Sequence, residues 1–122
     1  MDIPDRMRAP ADVAVPAGAA PGLTVSPLPR QSGLRAAGEV SLATRAIWQR
    51  ALDQAVREGE DVYYLELSAV TFVDVAGAGV LAEAARRLEP GRRIVLRRPP
   101  SVLPRIMDMF WPGLPGIEVS AS

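Results

Sequence analysis

The sequence predicts an α/β fold, in which helices pack on a mixed β-sheet that begins with a hairpin. Two short strand-like segments open the pattern, and helical segments then alternate with further strands. The segment 65–73 is almost continuously apolar, which is typical of a central parallel strand covered on both faces. The length of 122 residues is enough for one hydrophobic core but not for two.

The hairpin is expected near the start of the folded part of the chain. Its strands are predicted at 23–28 and 33–38, because apolar residues recur there on either side of a turn rich in proline, serine and glycine. Residues 39–41 are then expected to form the loop that leaves the hairpin.

A first helix follows this loop. Ser41 or Thr44 is expected to cap its start, and the helix should run to about residue 58, just before a glycine. Trp48 lies at the edge of the predicted apolar face, so we expect it to be exposed. That face is predicted to consist of Ile47, Ala51, Leu52, Ala55 and Val56.

The second half of the chain continues the alternation. Strands are predicted at 62–72, 94–96 and 117–119, and helices at 75–88 and 102–110. The earlier of these helices is expected to bury Ala78, Leu81, Ala82 and Ala85. The later one is expected to close the core with Leu103, Ile106, Met107 and Phe110. Trp111 comes after this helix and is expected to be exposed.

The amino-terminal segment differs in composition from the rest. Residues 1–21 contain four prolines among alanines and glycines and have few large apolar side chains, so they are predicted to form a flexible tail ahead of a domain at 22–120. No stretch reaches the roughly 18 apolar residues of a membrane span. We therefore expect a soluble, cytoplasmic protein that does not bind a membrane.

The composition excludes many kinds of site. The chain has no cysteine and no histidine, which excludes disulfides, thiol nucleophiles, histidine acid–base catalysis and metal sites built on those ligands. Its 14 positive and 14 negative side chains balance, so net charge indicates no class of partner. Tyr63 and Tyr64 are adjacent on a strand and should point to opposite faces. We expect no enzyme activity, no cofactor and no metal.

The most informative segment is the corner between the central strand and the next helix. Asp74 ends the strand, and its carboxylate can accept hydrogen bonds from the free amides of the first helical turn. Gly77 and Gly79 would each weaken a helix by about 1 kcal/mol relative to alanine. Their presence indicates that a partner or a neighbouring strand approaches the helix backbone closely.

This corner resembles the signature of the STAS domain family, the fold of bacterial anti-sigma factor antagonists. The family reads roughly Asp-Ser-Ser-Gly-Leu-Gly where this chain has Asp-Val-Ala-Gly-Ala-Gly at 74–79. The segment 38–44 is similar to the run that precedes the first helix in many actinobacterial members, and 97–102 is similar to the entry to the third helix. The resemblance covers about 22–120 and implies the same α/β fold.

The resemblance also implies a function. In the family, the unphosphorylated domain binds an anti-sigma factor of the serine-kinase type, and phosphorylation of the serine before the first glycine breaks that complex. Ala76 occupies this phosphoacceptor position, and Val75 replaces the neighbouring serine. The implied antagonist regulates transcription but is not switched at the usual site. The implied partner-binding residues are Glu39, Ser41, Thr44, Asp74, Val75, Ala76, Gly77, Ala78 and Gly79.

Other interpretations remain open from the sequence. Ser68, expected at a bend, and Thr71, within the central strand, are nearby hydroxyls that would present poorly to a kinase. A degenerate scaffold or stressosome-like sensor module could pair with another STAS protein without phosphorylation. The helix start near Gly77 could bind a nucleotide or another anion, although Asp74 would repel it. Nucleic-acid binding is not expected, because no aromatic side chain is interleaved among Arg86, Arg87, Arg92, Arg93, Arg97 and Arg98.

Overall fold

The computed structural model describes residues 22–58 and 60–121. Its strands are β1 (Leu23–Pro27), β2 (Gly33–Val40), β3 (Val62–Val73), β4 (Arg93–Arg97) and β5 (Ile117–Ser120). Its helices are α1 (Arg45–Arg57), α2 (Val75–Arg86) and α3 (Val102–Phe110), and a 3₁₀ turn (Leu42–Thr44) precedes α1. The predicted tail at 1–21 lies outside the described residues, so the domain boundary stays a prediction.

The five strands form one sheet in the order β1-β2-β3-β4-β5. β1 and β2 pair antiparallel, and every later pair is parallel. This confirms the predicted mixed sheet with an amino-terminal hairpin and places β3 at its centre. Each parallel crossover moves one position in the same direction, and crossovers of this kind are right-handed. The three helices therefore pack on one face of the sheet, and no helix within residues 22–58 or 60–121 lies on the other face.

Burial along β3 agrees with this arrangement. Tyr63, Leu65 and Leu67 point toward the helices and are at most 2% exposed, whereas Tyr64 on the opposite face is half-buried. The pairing of β3 with β2 has two register shifts, and β3 contains one extra residue at each of them. The first lies near Ser68 and the second at Thr71. Each extra residue is a β-bulge, which interrupts the ladder locally. Ser68, expected at a bend, lies within β3 at the first of these bulges, where the strand bends locally.

The hairpin's second strand is longer than predicted. Glu39 and Val40 belong to β2 and pair with Phe72 and Val73, so the expectation that residues 39–41 form a loop is wrong for these two. Val40 is 1% exposed, and its burial between β3 and the helices explains why the strand continues. The chain leaves the sheet only at Ser41.

The buried face of α1 also differs from the prediction. Trp48 is 1% exposed, whereas Ile47 is 40% exposed, so both expectations for these residues are wrong. The buried residues of α1 are Trp48, Ala51, Leu52 and Ala55. They follow one another at intervals of three, one and three residues, which places them on one helical face with Trp48 one turn before Leu52.

The buried faces of α2 and α3 mostly agree with the prediction. Ala78, Leu81, Ala82 and Ala85 are buried in α2. In α3, Leu103 and Met107 are buried and Ile106 is half-buried, but Phe110 is 53% exposed and does not close the core. Trp111 was expected to be exposed, yet it is half-buried and packs against the core in place of Phe110.

Candidate protein-binding site

The corner that follows β3 is built around Asp74. Its backbone N–H donates to Val40 O at 3.1 Å, which ties the end of β3 to the end of β2. Asp74 has extended backbone angles as the N-cap of α2, and its Oδ1 accepts the Gly77 N–H at 2.7 Å. The carboxylate also lies at the positive end of the helix dipole. The N-cap role predicted from the sequence is confirmed.

Gly77 explains how α2 can begin so close to the sheet. A Cβ added to Gly77 would lie 2.5 Å from Val40 Cγ1 and 3.3 Å from Val40 O, so only glycine fits. The Gly77 carbonyl accepts a hydrogen bond of 2.9 Å from Nε1 of the buried Trp48. At this glycine, the close approach predicted from the sequence comes from a neighbouring strand.

Gly79 has a different environment. A Cβ added there would lie 3.6 and 3.7 Å from two ring atoms of Trp111, which are ordinary van der Waals distances. Gly79 is half-buried and no backbone atom lies within 4 Å of such a Cβ beyond its own helix and its chain neighbours. No neighbouring strand therefore approaches Gly79 within the described part of the domain.

The segment that follows β2 is held by one hydroxyl. Thr44 Oγ1 donates to Glu39 O at 2.8 Å and accepts the Ser41 N–H at 3.0 Å. Ser41 Oγ is buried without a hydrogen-bond partner among the described residues. Thr44 is the N-cap residue of α1 and Ser41 is that of the preceding 3₁₀ turn, so the expected capping position is confirmed. Neither side chain accepts a hydrogen bond from the first-turn amides of α1. Thr44 instead closes the 3₁₀ turn.

The nine residues implied by the resemblance lie in two adjacent segments, joined by the Asp74–Val40 hydrogen bond. Val75 and Ala76 are exposed on the first turn of α2. The partly exposed residues are Glu39, Ser41, Asp74 and Gly79, and the buried ones are Thr44, Gly77 and Ala78. The buried three can shape the surface, but their side chains cannot reach a partner.

Two exposed apolar residues of this region were not predicted. Leu42 in the 3₁₀ turn is 71% exposed, and Phe72 at the end of β3 is 47% exposed. Val75, which is 45% exposed, follows Asp74 directly. Exposed apolar side chains on neighbouring segments can contribute to a protein interface. Sequence analysis missed Leu42 and Phe72 because an apolar residue beside a strand end looks the same whether it points inward or outward.

A shallow groove lies beside Ala76, between α1 and α2. It has a volume of about 310 Å³, and its lining residues are Arg45, Gln49, Ala76, Gly79, Val80 and Glu83. Glu83 is paired with Arg86 at 3.3 Å. Arg45 is exposed and has no ion pair among the described residues. The groove thus contains Gly79, which has no side chain, and Arg45, whose positive charge has no ion pair among the described residues.

The structure around this corner does not favour an anion or a nucleic acid as the ligand. The Asp74 carboxylate already takes the free Gly77 amide that an anion would need. Five arginines from the run considered for nucleic-acid binding pair with carboxylates: Arg86–Glu83, Arg87–Asp53, Arg92–Glu89, Arg93–Glu118 and Arg98–Glu66. The Arg97 guanidinium stacks 5.1 Å from the centre of the Tyr64 ring. Little unpaired positive charge is left for phosphates.

The two adjacent tyrosines point to opposite faces, as predicted. Burial raises the pKa of Tyr63 to about 12, so this phenol stays neutral in the core. In the described ranges, no three acidic, histidine or cysteine side chains come together in a way that could hold a metal ion. The helices of residues 22–58 and 60–121 are all too short or too polar to cross a membrane.

Comparisons with known proteins agree on one fold. A family model described as Mlab, STAS domain, matches residues 23–110. The crystal structure of an anti-sigma factor antagonist from Mycobacterium paratuberculosis aligns with a TM-score of 0.64 and 20% identity, over 83% of this chain and 87% of that one. The anti-sigma factor antagonist SpoIIAA in its unphosphorylated form aligns with a TM-score of 0.60 and 16% identity, over 83% and 89%. No curated protein matches the sequence.

Proposed function

Because this chain belongs to the STAS domain family, we propose that it is a non-enzymatic, anti-sigma factor antagonist-like module that binds a protein partner through the corner at Asp74–Val40. The observation that carries the proposal is the first turn of α2. Val75 and Ala76 are exposed there, and the apolar side chains of Leu42 and Phe72 are exposed on the adjoining segments. This is a surface suited to a protein partner.

The proposed partner is an anti-sigma factor of the serine-kinase type. In a phosphorylated relative, about two negative charges at the start of α2 would meet the partner and break the complex. Ala76 has the size of an unphosphorylated serine without its oxygen and cannot accept phosphate. The proposed module therefore stays in its binding form while the kinase is active.

Ser68 and Thr71 are poor substitutes for the missing hydroxyl. Both lie within β3, and Thr71 Oγ1 donates to Gly38 O at 3.3 Å. A kinase needs its acceptor in a segment that can enter an active site, and a central strand cannot do so without leaving the sheet. This supports a module without a relocated phosphorylation site.

A second candidate function is a scaffold or sensor module that pairs with another STAS domain. The observation that favours it is the loss of hydroxyls at both Val75 and Ala76, which removes any phosphorylation cycle from the first turn of α2. The two candidates use the same exposed surface and differ in the partner. The shape of the site therefore does not distinguish the two candidate functions, and a binding experiment with each class of partner is needed.

The test is binding of the purified protein to kinase-type anti-sigma factors from its own organism, with ATP present. Wild type is compared with Ala76→Ser and Ala76→Asp, and Val102→Asp serves as the control because Val102 is exposed on the first turn of α3. We expect wild type and Val102→Asp to bind, Ala76→Ser to be phosphorylated and released, and Ala76→Asp not to bind. If wild type binds none of these kinases, the antagonist proposal is wrong and the scaffold becomes the leading account.

A further inference from the structure

The fold requires a glycine at one of the two glycine positions of the corner but not at the other. Gly77 is required by the fold, because a Cβ there would overlap Val40 Cγ1 at 2.5 Å. Gly79 is not required by the fold, because a Cβ there would only make ordinary contact with the Trp111 ring. Gly79 does not have a positive φ either, so no backbone conformation demands a glycine at this position.

Gly79 nevertheless has a cost. A glycine inside a helix is less favourable than alanine by about 1 kcal/mol. Alanine at this position would improve the helix and add a methyl contact to Trp111, so the isolated domain would gain stability from the change. The stability of the isolated domain therefore does not account for the missing side chain.

Arg45 adds a charge to the same surface. It lines the groove between α1 and α2 opposite Glu83, and Glu83 is already paired with Arg86. Arg45 is exposed and has no carboxylate partner among the described residues. It also lies in the first turn of α1, where a positive charge is unfavourable to the helix dipole. Its guanidinium therefore makes no hydrogen bond or ion pair within the described part of the chain.

From these observations, which rest on the proposed function, we infer that Gly79 and Arg45 determine which partner the corner accepts. A segment of the partner protein packs directly on the α2 backbone at Gly79, beside the Trp111 ring, where a Cβ would hold it away. The same segment places a carboxylate on Arg45 and so completes an ion pair that the free domain lacks. Gly77, by contrast, only allows α2 to pack on β2.

The experiment separates stability from binding in two matched pairs of variants. Gly79→Ala is compared with Gly77→Ala, and Arg45→Glu with Arg50→Glu, which changes an exposed arginine of α1 outside the groove. Unfolding in urea gives the stability of each variant. Calorimetric titration with the kinase-type anti-sigma factor that binds wild type gives the affinity, at low and at high salt.

We expect Gly79→Ala to unfold at the same or a higher urea concentration than wild type and to bind at least tenfold more weakly. Gly77→Ala should unfold at a lower urea concentration. Arg45→Glu should also bind at least tenfold more weakly, and its deficit should shrink at high salt because salt screens the ion pair. Arg50→Glu should bind like wild type.

Three results would overturn the inference, and they can be told apart. Lower stability of Gly79→Ala would show that the fold itself needs this glycine. Unchanged affinity of Gly79→Ala and Arg45→Glu, with wild type binding, would remove the inference and leave the proposed function standing. Failure of wild type to bind any such kinase would remove both.

Discussion

At the corner, both backbone polar groups of Gly77 are hydrogen-bonded to side chains. The N–H of Gly77 is bonded to the Asp74 carboxylate at 2.7 Å, and the carbonyl of Gly77 accepts the Trp48 indole N–H at 2.9 Å. Trp48 belongs to α1 and Asp74 to the end of β3, so the first turn of α2 is positioned by both of its neighbours. The exposed residues Val75 and Ala76 are therefore presented by a fixed piece of backbone.

The Trp48 hydrogen bond can be tested with Trp48→Phe. Phenylalanine keeps an aromatic ring in the core but has no N–H to donate, so the Gly77 carbonyl loses this bond and the smaller ring leaves a gap. We expect the free energy of unfolding to fall by about 1–3 kcal/mol, measured by urea denaturation. Trp111→Phe, at a half-buried position, should cost less; an equal loss in both variants would contradict a special role for the hydrogen bond.

The cap can be tested by removing its charge and its oxygen separately. Asp74→Asn keeps an oxygen that can accept the Gly77 N–H, whereas Asp74→Ala loses both the acceptor and the charge near the helix dipole. Loss of a cap of this kind costs about 1 kcal/mol, within a range of 0.5–2. We expect the thermal midpoint to decrease in the order wild type, Asn, Ala. An Ala variant as stable as wild type would show that the cap contributes nothing.

At the scale of elements, local patterns predicted the type and order of the strands and helices. The bounds of α3 match the prediction, and α2 begins at Val75 as expected. The errors lie where tertiary contacts decide. β2 continues through Val40 because β3 and α2 bury it there, and no local signal in the chain marks that burial.

The error in α1 was avoidable. Trp48, Leu52 and Ala55 follow one another at helical spacing, and this pattern identifies the buried face without reference to any other element. The predicted face was centred correctly on Ala51, Leu52 and Ala55. It included Ile47, which lies about 100° around the helix from Trp48, in place of Trp48. The exposure of Phe110 was not avoidable in this way, because it depends on Trp111 returning to pack near α2 after the helix has ended.

The connection between β4 and α3 depends on an ion pair that crosses to β3. Glu66 is 4% exposed and lies on the face of the sheet opposite α1, α2 and α3, and its carboxylate lies 3.0 Å from the Arg98 guanidinium. Arg98 has a φ of 51°, in the left-handed region that residues other than glycine seldom adopt. The ion pair holds this unfavourable turn in place and so fixes where the chain leaves β4.

The same pair predicts a dependence on pH. Burial acts to raise the pKa of Glu66, but hydrogen bonds from Arg98 and Ser68 outweigh it and hold the pKa below its ordinary value of 4.5. A lowered pKa in the folded state means that the stabilising contribution is present above pH 4.5 and is lost as the pH falls through the folded-state value. Wild type should therefore lose stability below pH 4.5.

Glu66→Gln isolates this contribution, because the amide does not titrate. The urea midpoint of wild type should fall more steeply than that of Glu66→Gln between pH 5 and the acid limit of folding. Asp53, whose pKa is lowered mainly by its hydrogen bond to Arg87, titrates in both proteins and cancels in the comparison. Parallel curves for the two proteins would contradict a charged Glu66 in the fold.

At the scale of the whole molecule, sequence reasoning located the candidate site but not its full surface. The Asp74–Gly79 motif predicted where the corner lies, because capping and glycine spacing are local features. The exposure of Leu42 and Phe72 and the groove at Arg45 depend on how α1, α2 and the sheet meet. Such features require the relative positions of distant segments, which no local pattern contains.

The domain boundary can be tested by removing residues 1–21. The described fold begins with Gly22 and β1, and the sequence predicts that the preceding segment is a flexible tail. We expect the shortened protein to have a free energy of unfolding within about 0.5 kcal/mol of the full chain. A larger loss, measured by urea denaturation, would show that the segment contributes to the fold and that the boundary at 22 is wrong.

Among residues 22–58 and 60–121 the strand order of the sheet follows the chain, so each of these strands pairs with the strand immediately before or after it in the sequence. A ribosome releases the chain from its amino end, and each new helix and strand meets a unit that is already in place. The chain closed by each pairing stays short, which limits the loop entropy lost at every step. A domain with this topology can assemble progressively during translation, from the hairpin outward, without waiting for its last strand.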